Sequence, residues 1–232
     1  MYKTVLLKLS GEAIGSNDGP FDLNTLDYLA KQIKALVKKK VKVGIVVGGG
    51  NICRGRTFEK LGVDRKKSDY IGMCATVMNS LILGEALNKN KIKNIVFTTY
   101  PVKNVVDYSK NKANSYLKKG YVCIFGGGTG KPFFSTDTAC ALRAKDIKAE
   151  VILFAKNGTD GVYDKEPSRF KDAKRYDSMS FNDIIKNKLW VIDIAAAKIC
   201  KKEHIDGFVF NIKEKDAIKN SVDLKVTGTI IK

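Results

Sequence analysis

The sequence predicts an α/β fold with a mainly parallel central sheet between helix layers. Short apolar strands alternate with helical segments along the chain, as in sheets whose parallel strands are joined by crossover helices. The 232 residues, 44% of them hydrophobic, are enough for one such domain with a buried core. Several predicted strands end in glycines, which suit strand-to-helix turns.

Hydrophobic spacing places the elements of the first two thirds of the chain. A strand over TVLLKLS precedes a helix over 23–40, in which Leu23, Leu26, Ala30, Ile33 and Val37 recur every three or four residues. KVGIVVGGG is predicted to be a buried strand, and 69–88 a long, mostly apolar helix. Then follow strand NIVFTTYP, helix KNKANSYLKKG, strand YVCIFGGG, helix DTACALRAKDI and strand AEVILFAK.

The pattern loosens after Lys156 into the turn NGTDG and a polar stretch that runs to Ser168. Helices are predicted over 181–187 and 193–204, followed by strand DGFVFNI and a final strand GTII. The sequence has no repeat of fixed period and no linker rich in proline, glycine or serine. We therefore expect a single domain over 1–232.

The charge balance favours small phosphorylated partners over nucleic acid. The formal net charge is +18, but the basic residues are mostly lysines spread over the whole chain, which is typical of a solvated surface. The sequence has no RNP-like aromatic pattern, zinc-finger spacing or basic tail. A positive field still attracts phosphate compounds.

Cysteine and histidine usage narrows the chemistry. The five cysteines include no C-x-x-C pair, which disfavours a disulfide framework or zinc site, and the single histidine, His204, excludes a multi-histidine metal site. A Ser-His-Asp triad stays open, although His204 fits a helix surface. Apolar runs such as EVILFAK are far shorter than the roughly 20 residues of a membrane span, so we expect a cytoplasmic protein with no membrane contact.

Glycine-rich loops follow three predicted strands. These loops contain Ser10 and Gly11, then Gly48 to Asn51, then Gly126 to Gly130. Ligands bind at the carboxyl ends of parallel strands, and glycines let backbone N–H groups approach an anion. We expect the three loops to bind several phosphates together; the alternative is that their glycines serve only tight turns.

These loops match neither common nucleotide fingerprint. A Walker A loop would need glycine at Phe125 and serine or threonine at Pro132, and a dinucleotide motif from Gly48 would need glycine at Cys53. A P-loop fold is therefore not expected.

Charged residues lie beside the loops. Lys8 is a lone cation in the apolar run VLLKLSG, and a buried lysine needs an anionic partner such as phosphate; the alternative is a solvent-facing position on an edge strand. Arg54 carries a guanidinium that can bind phosphate through two hydrogen bonds. Asp193 is either part of the site or a helix N-cap.

These stretches carry a family resemblance. LLKLSGEA, VGIVVGGGNICRG, DYIGMCATVMN, GGGTGKPFFSTDTACALRA, DGVYDKEP and VIDIAAAK resemble the bacterial-type UMP kinases (uridylate kinases), a branch of the amino acid kinase family. The likeness covers nearly the whole chain and is most specific in TGKPFFSTD together with GGGNxxRG. It implies a three-layer α/β/α sandwich whose acceptor half is about 1–150 and whose ATP-binding half is about 151–232.

The resemblance also implies residue roles. The ATP-binding set would be Lys8, Leu9, Ser10, Gly11, Gly50, Arg54, Asn157, Tyr163 and Glu166. The UMP-binding set would be Gly49, Asp69, Thr129, Gly130, Lys131, Pro132, Phe133, Phe134, Ser135 and Thr136. Lys8 and Arg54 would be catalytic, with Asp193 orienting the lysine and Asp137 a weaker candidate for a similar task. Phe133 and Phe134 have the alternative of being core aromatics.

Two positions depart from the family pattern. Glu166 stands where the family usually has aspartate, and SNDGPF, at 16–21, falls where bacterial members often carry a GTP-responsive segment but is too generic to predict one.

The implied reaction is phosphoryl transfer from ATP to UMP in pyrimidine nucleotide biosynthesis. The acceptor phosphate has a second pKa of about 6, so no general base is needed. Mg²⁺ would be held mainly by ATP phosphates and water, without a protein ligand cluster. The resemblance implies a homohexamer. The rivals are family members that phosphorylate carboxylates or carbamate, a non-enzymatic nucleotide-binding or metal-storing relative on the same fold, and a nucleic-acid-binding regulator.

Overall fold

A nine-stranded sheet, mostly parallel, forms the centre of the molecule. The structure is a computed structural model and describes residues 1–16, 18–53, 58, 61–187, 189 and 191–232. The strands are β1 Thr4–Leu9, β2 Lys42–Val47, β3 Asn94–Thr98, β4 Val106–Asp107, β5 Val122–Gly126, β6 Val151–Lys156, β7 Val162–Tyr163, β8 Arg175–Tyr176, β9 Ser178–Met179, β10 Asp206–Asn211 and β11 Gly228–Ile231. The sheet order is β4-β3-β5-β2-β1-β6-β10-β11-β9, and β7 and β8 form a separate antiparallel pair.

Helices cover both faces of this sheet. A short 3-10 helix spans Gly11–Ile14, and the α-helices are α1 Leu23–Lys38, α2 Arg65–Lys89, α3 Lys110–Lys118, α4 Thr136–Ile147, α5 Phe181–Asn187, α6 Ile194–Glu203 and α7 Ala217–Ser221. Helices α1, α2 and α7 share one hydrophobic core with the sheet, and α3 to α6 share the other. The predicted α/β sandwich is therefore confirmed.

Strand β1 shows how the alternation of side chains supplies both cores. Val5, Leu7 and Leu9 belong to the core beneath α1 and α2, whereas Leu6 belongs to the core on the opposite face. Lys8 follows the same alternation as Leu6, so its side chain points toward the α4 side of the sheet.

Helix starts are fixed by side-chain caps. Asp22 accepts a hydrogen bond from the backbone N–H of Thr25 at 2.6 Å, and Ser135 accepts from the N–H groups of Asp137 and Thr138 at 3.0 and 3.1 Å. Asp64 caps α2, which therefore begins at Arg65, four residues before the predicted start at 69.

The two predicted halves share one sheet. Strand β1 pairs in parallel with β2 on one side and with β6 on the other, so the sheet continues across residue 150 without a break. Strand β11, by contrast, pairs antiparallel with β10. Sequence periodicity missed the two-residue strands β4, β7, β8 and β9, which are too short to show a period.

Helix α2 is long and apolar enough to cross a membrane by length and composition, with a mean hydropathy of 1.3 over its most apolar window. Half of that window is buried in the protein, where α2 packs against β3 and β5. A core helix of a soluble protein satisfies the same criteria, so this helix is weak evidence for a membrane span.

Candidate functional site

The three glycine-rich loops lie at the same edge of the sheet, because β1, β2 and β5 are parallel and adjacent. The first two loops touch: Gly48 N–H donates to the Leu9 carbonyl at 2.9 Å. A Cβ placed on Gly11 would lie 2.3 Å from Asn51 Oδ1 and 2.8 Å from the Gly48 carbonyl oxygen. Glycine at position 11 is therefore required for this close approach.

Helix α2 forms a common wall behind the second and third loops. A Cβ on Gly49 would lie 2.9 Å from both Ala75 Cβ and the Gly72 carbonyl oxygen, and Gly127 N–H donates to Thr76 Oγ1 at 2.9 Å. Gly127 has a φ of +80°, a left-handed conformation that glycine adopts without strain.

Two asparagines connect the second loop to this wall. Asn51 and Asn79 exchange amide hydrogen bonds of 3.1 and 2.7 Å, and Asn79 also donates to the Gly48 carbonyl at 2.5 Å. Asn79 is fully buried. The reciprocal pair satisfies polar groups that would be costly to bury alone and fixes the loop against α2.

Lys8 forms an ion pair with Asp137, at 3.0 Å between Nζ and Oδ1. The two side chains are 14% and 16% exposed, and β1 is a central strand. The alternative that Lys8 faces solvent on an edge strand is therefore wrong. The predicted anionic partner exists, and it is a carboxylate of the protein itself.

The pKa values reflect this pairing. Burial by itself lowers the pKa of Lys8, but the Asp137 carboxylate, together with Cys140 and Asp193, more than offsets this, and the net effect is a raised pKa. Burial raises the pKa of Asp137, but Lys8, followed by Lys156, more than offsets this, and the net pKa is lowered. Both groups are charged at neutral pH.

Asp193 makes its direct contacts at the starts of helices α6 and α4, and its charge also helps to raise the pKa of Lys8. It is the N-cap of α6, accepting from Ala196 N–H at 2.7 Å, so the N-cap interpretation is confirmed. Its carboxylate also accepts hydrogen bonds from the hydroxyls of Ser135 and Thr138. Asp137 is the acid that makes the direct contact with Lys8, and the roles expected of the two acids in orienting the lysine stay predictions.

Asp69 lies against the segment from Thr129 to Thr136. Its Oδ2 accepts a hydrogen bond of 2.7 Å from the backbone N–H of Phe133, and its Oδ1 pairs with Arg65 Nε at 3.1 Å. The structure thus brings together two stretches that the family resemblance assigned to one acceptor site.

The segment itself presents its side chains outward. Phe133 and Phe134 are 66% and 54% exposed, so the alternative that they are core aromatics is wrong. Phe133 has a φ of +70°, which is unusual for an aromatic residue. Lys131 N–H donates to Thr129 Oγ1 at 3.2 Å, Gly130 has a φ of +79°, and exposed Ser135 caps α4. Pro132 and Thr136 are half-buried.

A cleft of about 800 Å³ opens beside the first loop. Its wall includes Glu12, Asn51, Asn157 and Lys213, so Asn157 is a predicted ATP residue that faces it. Tyr163 lies farther along the chain in the pair β7–β8, where its hydroxyl donates to Asp160 at 2.6 Å. Glu166 is exposed and accepts a hydrogen bond from Ser168 Oγ at 3.0 Å.

The other predicted ATP residues differ in what they offer. The Leu9 side chain is buried in the core, so only its backbone can serve a site. Ser10 Oγ is buried and has no hydrogen-bond partner among the described residues, as expected for a group that awaits a ligand. Gly50 is exposed. Arg54 lies outside the described residues.

Three residues that contribute to this edge were not singled out from the sequence: Asn79, Thr138 and Lys156. Asn79 and Thr138 lie within helices and carry no signal without their partners. Lys156 did carry a signal in the sequence, because it is the last residue of an otherwise apolar strand, much as Lys8 lies next to the end of its own apolar strand. Among the described residues, no cluster of three or more acidic, cysteine or histidine side chains forms a metal site.

Comparison with known proteins establishes the class. The model of the amino acid kinase family matches residues 3–211. The chain belongs to this family.

Similar proteins within the family include uridylate kinases. The chain is 44% identical to the uridylate kinase of Aster yellows witches'-broom phytoplasma, with 96% of this chain and 93% of the relative covered. It is 41% identical to that of Mycoplasmopsis pulmonis, with 99% and 96% covered. The structures of UMP kinases from Ureaplasma parvum and Bacillus anthracis superpose with TM-scores of 0.95 and 0.94 at 36% identity, covering all of this chain and 99% and 96% of theirs.

Proposed function

We propose that this protein is a UMP kinase, which transfers the γ-phosphoryl group of ATP to UMP and yields ADP and UDP. Near full-length similarity to uridylate kinases carries the proposal, together with the buried Lys8–Asp137 pair at the edge where three glycine loops meet. The reaction belongs to nucleotide metabolism, and we place it in pyrimidine nucleotide biosynthesis.

The chemistry needs positioning and positive charge more than proton transfer. An oxygen of the UMP phosphate forms a bond to the γ-phosphorus of ATP while the bond to the β-phosphate oxygen breaks, and the electron pair leaves with ADP. The acceptor phosphate is mostly dianionic at neutral pH, since its second pKa is about 6, so no side chain has to remove a proton. Catalysis then depends on holding the two nucleotides in line and stabilising charge.

In this scheme the first half of the chain, about 1–150, binds UMP. Asp69 binds the acceptor and orders the Thr129–Thr136 segment through its bond to Phe133 N–H. The exposed rings of Phe133 and Phe134 and the amides and hydroxyls around them hold the pyrimidine and its phosphate. Gly49 brings its backbone to the same nucleotide.

The ATP phosphates lie over the first two loops. Lys8 stabilises the transferring phosphoryl group, Ser10 and the amides of Gly11 and Gly50 donate hydrogen bonds, and Arg54 adds a guanidinium. The unpartnered Ser10 hydroxyl supports this placement. The second half, about 151–232, binds the nucleoside through Asn157, Tyr163 and Glu166.

Magnesium fits this site as a partner of the phosphates. The Asp137 carboxylate is paired with Lys8, and that of Asp193 accepts three protein hydrogen bonds, so phosphate oxygens and water would supply most ligands. When bound, the ion neutralises charge on the donor phosphates. Asp137 keeps Lys8 charged and directed at the same place.

We also propose a cytoplasmic homo-oligomer, a hexamer by family resemblance. Helix α2 buries one face and exposes apolar side chains on the other, including Ile71, Met78 and Leu81, which are 39%, 49% and 38% exposed. Association of chains through this face would remove them from water.

A coupled assay of ADP release tests the function. Purified protein with ATP and Mg²⁺ should phosphorylate UMP well and CMP, AMP, carbamate, aspartate and acetylglutamate poorly or not at all. Phosphorylation of a carboxylate or carbamate in place of UMP would favour other branches of the family. No turnover with any acceptor would favour a binding or storage protein, and salt-sensitive nucleic-acid binding a regulator.

A further inference from the structure

Lys156 is a second cation beside Lys8. It ends strand β6, which pairs with β1 so that Lys8 lies opposite Phe154. Because side chains alternate along a strand, Lys156 points to the same face of the sheet as Phe154, and therefore to the same face as Lys8. Both lysines thus project from the carboxyl ends of adjacent parallel strands toward the start of helix α4.

The ammonium of Lys156 is poorly compensated. It donates a hydrogen bond of 2.6 Å to the Val191 carbonyl, and within the described part of the chain no carboxylate lies within the 4.0 Å of a salt bridge. An ammonium has three donors. Burial lowers the pKa of Lys156, and repulsion from Lys8 lowers it further, whereas Asp137 and Cys140 act in the opposite direction. A nearby anion would relieve this cost.

Given the proposed function, we infer that Lys156 is a catalytic residue that binds the phosphoryl group in transfer, together with Lys8. Two ammonium groups on adjacent strands can contact different non-bridging oxygens of one phosphate. In the free protein, the Asp137 carboxylate forms a salt bridge with Lys8 and so reduces the repulsion between the two lysines. In the free protein, the hydrogen bond to the Val191 carbonyl holds the Lys156 ammonium at the edge of the sheet where the glycine loops lie.

Kinetics of Lys156→Met, which removes the charge but keeps the chain length, provide the first test. We expect kcat to fall about tenfold or more, with a much smaller change in the KM for UMP. Affinity for a bisubstrate analogue, adenosine joined to uridine through a polyphosphate, should fall by a similar factor. Lys42→Met is the matched control, since Lys42 is an exposed strand lysine at the opposite end of the sheet, and it should behave as wild type.

Amine labelling of the wild-type protein provides a second test, which does not depend on the folding of a variant. Reductive methylation, followed by mass spectrometry, should modify Lys156 in the free protein and much less in the presence of the bisubstrate analogue, with Lys42 equally labelled in both. Full turnover of Lys156→Met, or labelling of Lys156 that nucleotide does not change, would overturn the inference. A melting temperature and UMP affinity that fall together with kcat would also overturn it, because they would indicate a structural role.

The two proposals fail separately. If wild-type protein does not phosphorylate UMP, the proposed function is wrong. If wild type is active and Lys156→Met is equally active, the function stands and the role of Lys156 is wrong.

Discussion

The Lys8 ammonium and the Asp137 carboxylate lie 3.0 Å apart, on adjoining elements that meet at the edge of the sheet. The pair joins the carboxyl end of strand β1 to the first turn of helix α4. Each partner is costly to bury alone, so the pair keeps a lysine charged in a place where water is scarce.

Loss of Lys8 should impair both catalysis and stability. We expect Lys8→Ala to lower kcat by about a hundredfold or more, because it removes a cation from the transferring phosphoryl group. It also leaves Asp137 buried without its partner, which we expect to cost about 3–5 kcal/mol of unfolding free energy. Steady-state kinetics and urea unfolding measure the two effects, with Lys42→Ala as control. Unchanged turnover would mean that Lys8 is purely structural.

The pH dependence of stability should report the same pair. Asp137 has a lowered pKa in the folded protein, so its contribution is present above the ordinary value of 3.8 and is lost as pH falls through the lower folded value. Lys8 has a raised pKa, so its contribution is present below 10.5 and is lost as pH rises through the higher folded value. In Lys8→Met, the loss of stability at acid pH should begin at a higher pH, because Lys8 no longer lowers the pKa of Asp137. Urea unfolding across the acid range would show it, and an unmoved transition would contradict the pairing.

Asp69 should affect one substrate more than the other. We expect Asp69→Ala to raise the KM for UMP about tenfold or more and that for ATP little, because Asp69 anchors Phe133 N–H in the proposed acceptor segment. Exposed Asp172 lies in the other half of the chain, so Asp172→Ala is a suitable control. Equal effects on both substrates would remove Asp69 from the acceptor site.

Gly11 should tolerate no side chain. The Cβ of Gly11→Ala would lie 2.3 Å from Asn51 Oδ1 and 2.8 Å from backbone of the second loop, so the two loops must separate. We expect a loss of about 1–3 kcal/mol in unfolding free energy and a steep rise in the KM for ATP. Gly72→Ala, where a Cβ meets nothing within 4 Å inside helix α2, should be neutral or stabilising. Wild-type kinetics in Gly11→Ala would contradict the close contact between the first and second glycine loops.

Substitutions at Asp193 can separate its capping from its contacts with Ser135 and Thr138. We expect Asp193→Ala to lower the free energy of unfolding by about 1–2 kcal/mol, because helix α6 loses its N-cap. Asp193→Ser should recover that loss, since serine also caps, while kcat stays low because Ser135 and Thr138 lose their shared acceptor. Thermal unfolding and kinetics should therefore diverge in the serine variant. If kcat recovers with stability, Asp193 is only a cap.

Much of the fold could be predicted because strands and helices alternate with clear hydrophobic spacing. The expectation that the three glycine loops meet at one edge of the sheet is also confirmed, because β1, β2 and β5 are adjacent and parallel. The family resemblance is confirmed by the comparisons, as is the family's sandwich fold.

Long-range geometry was the part that the sequence could not supply. Whether Asp137 or Asp193 reaches Lys8 depends on how the first turn of α4 is placed against β1, and both acids look alike as residues that start helices. The Asn51–Asn79 pair is equally invisible, because its partners lie on a loop and deep in a helix. Short strands such as Val162–Tyr163 form through pairing with Arg175–Tyr176 and have no periodicity of their own.

The position of β1 between β2 and β6 affects how the chain can be assembled. Val5 pairs with Val43 and also with Val151, so β1 has one neighbour close in sequence and a second neighbour almost 150 residues later. Pairings so far apart in sequence slow folding. A chain cut at about residue 150 would leave an open strand edge on β1 beside Lys8, where unpaired backbone N–H and C=O groups can pair with another chain.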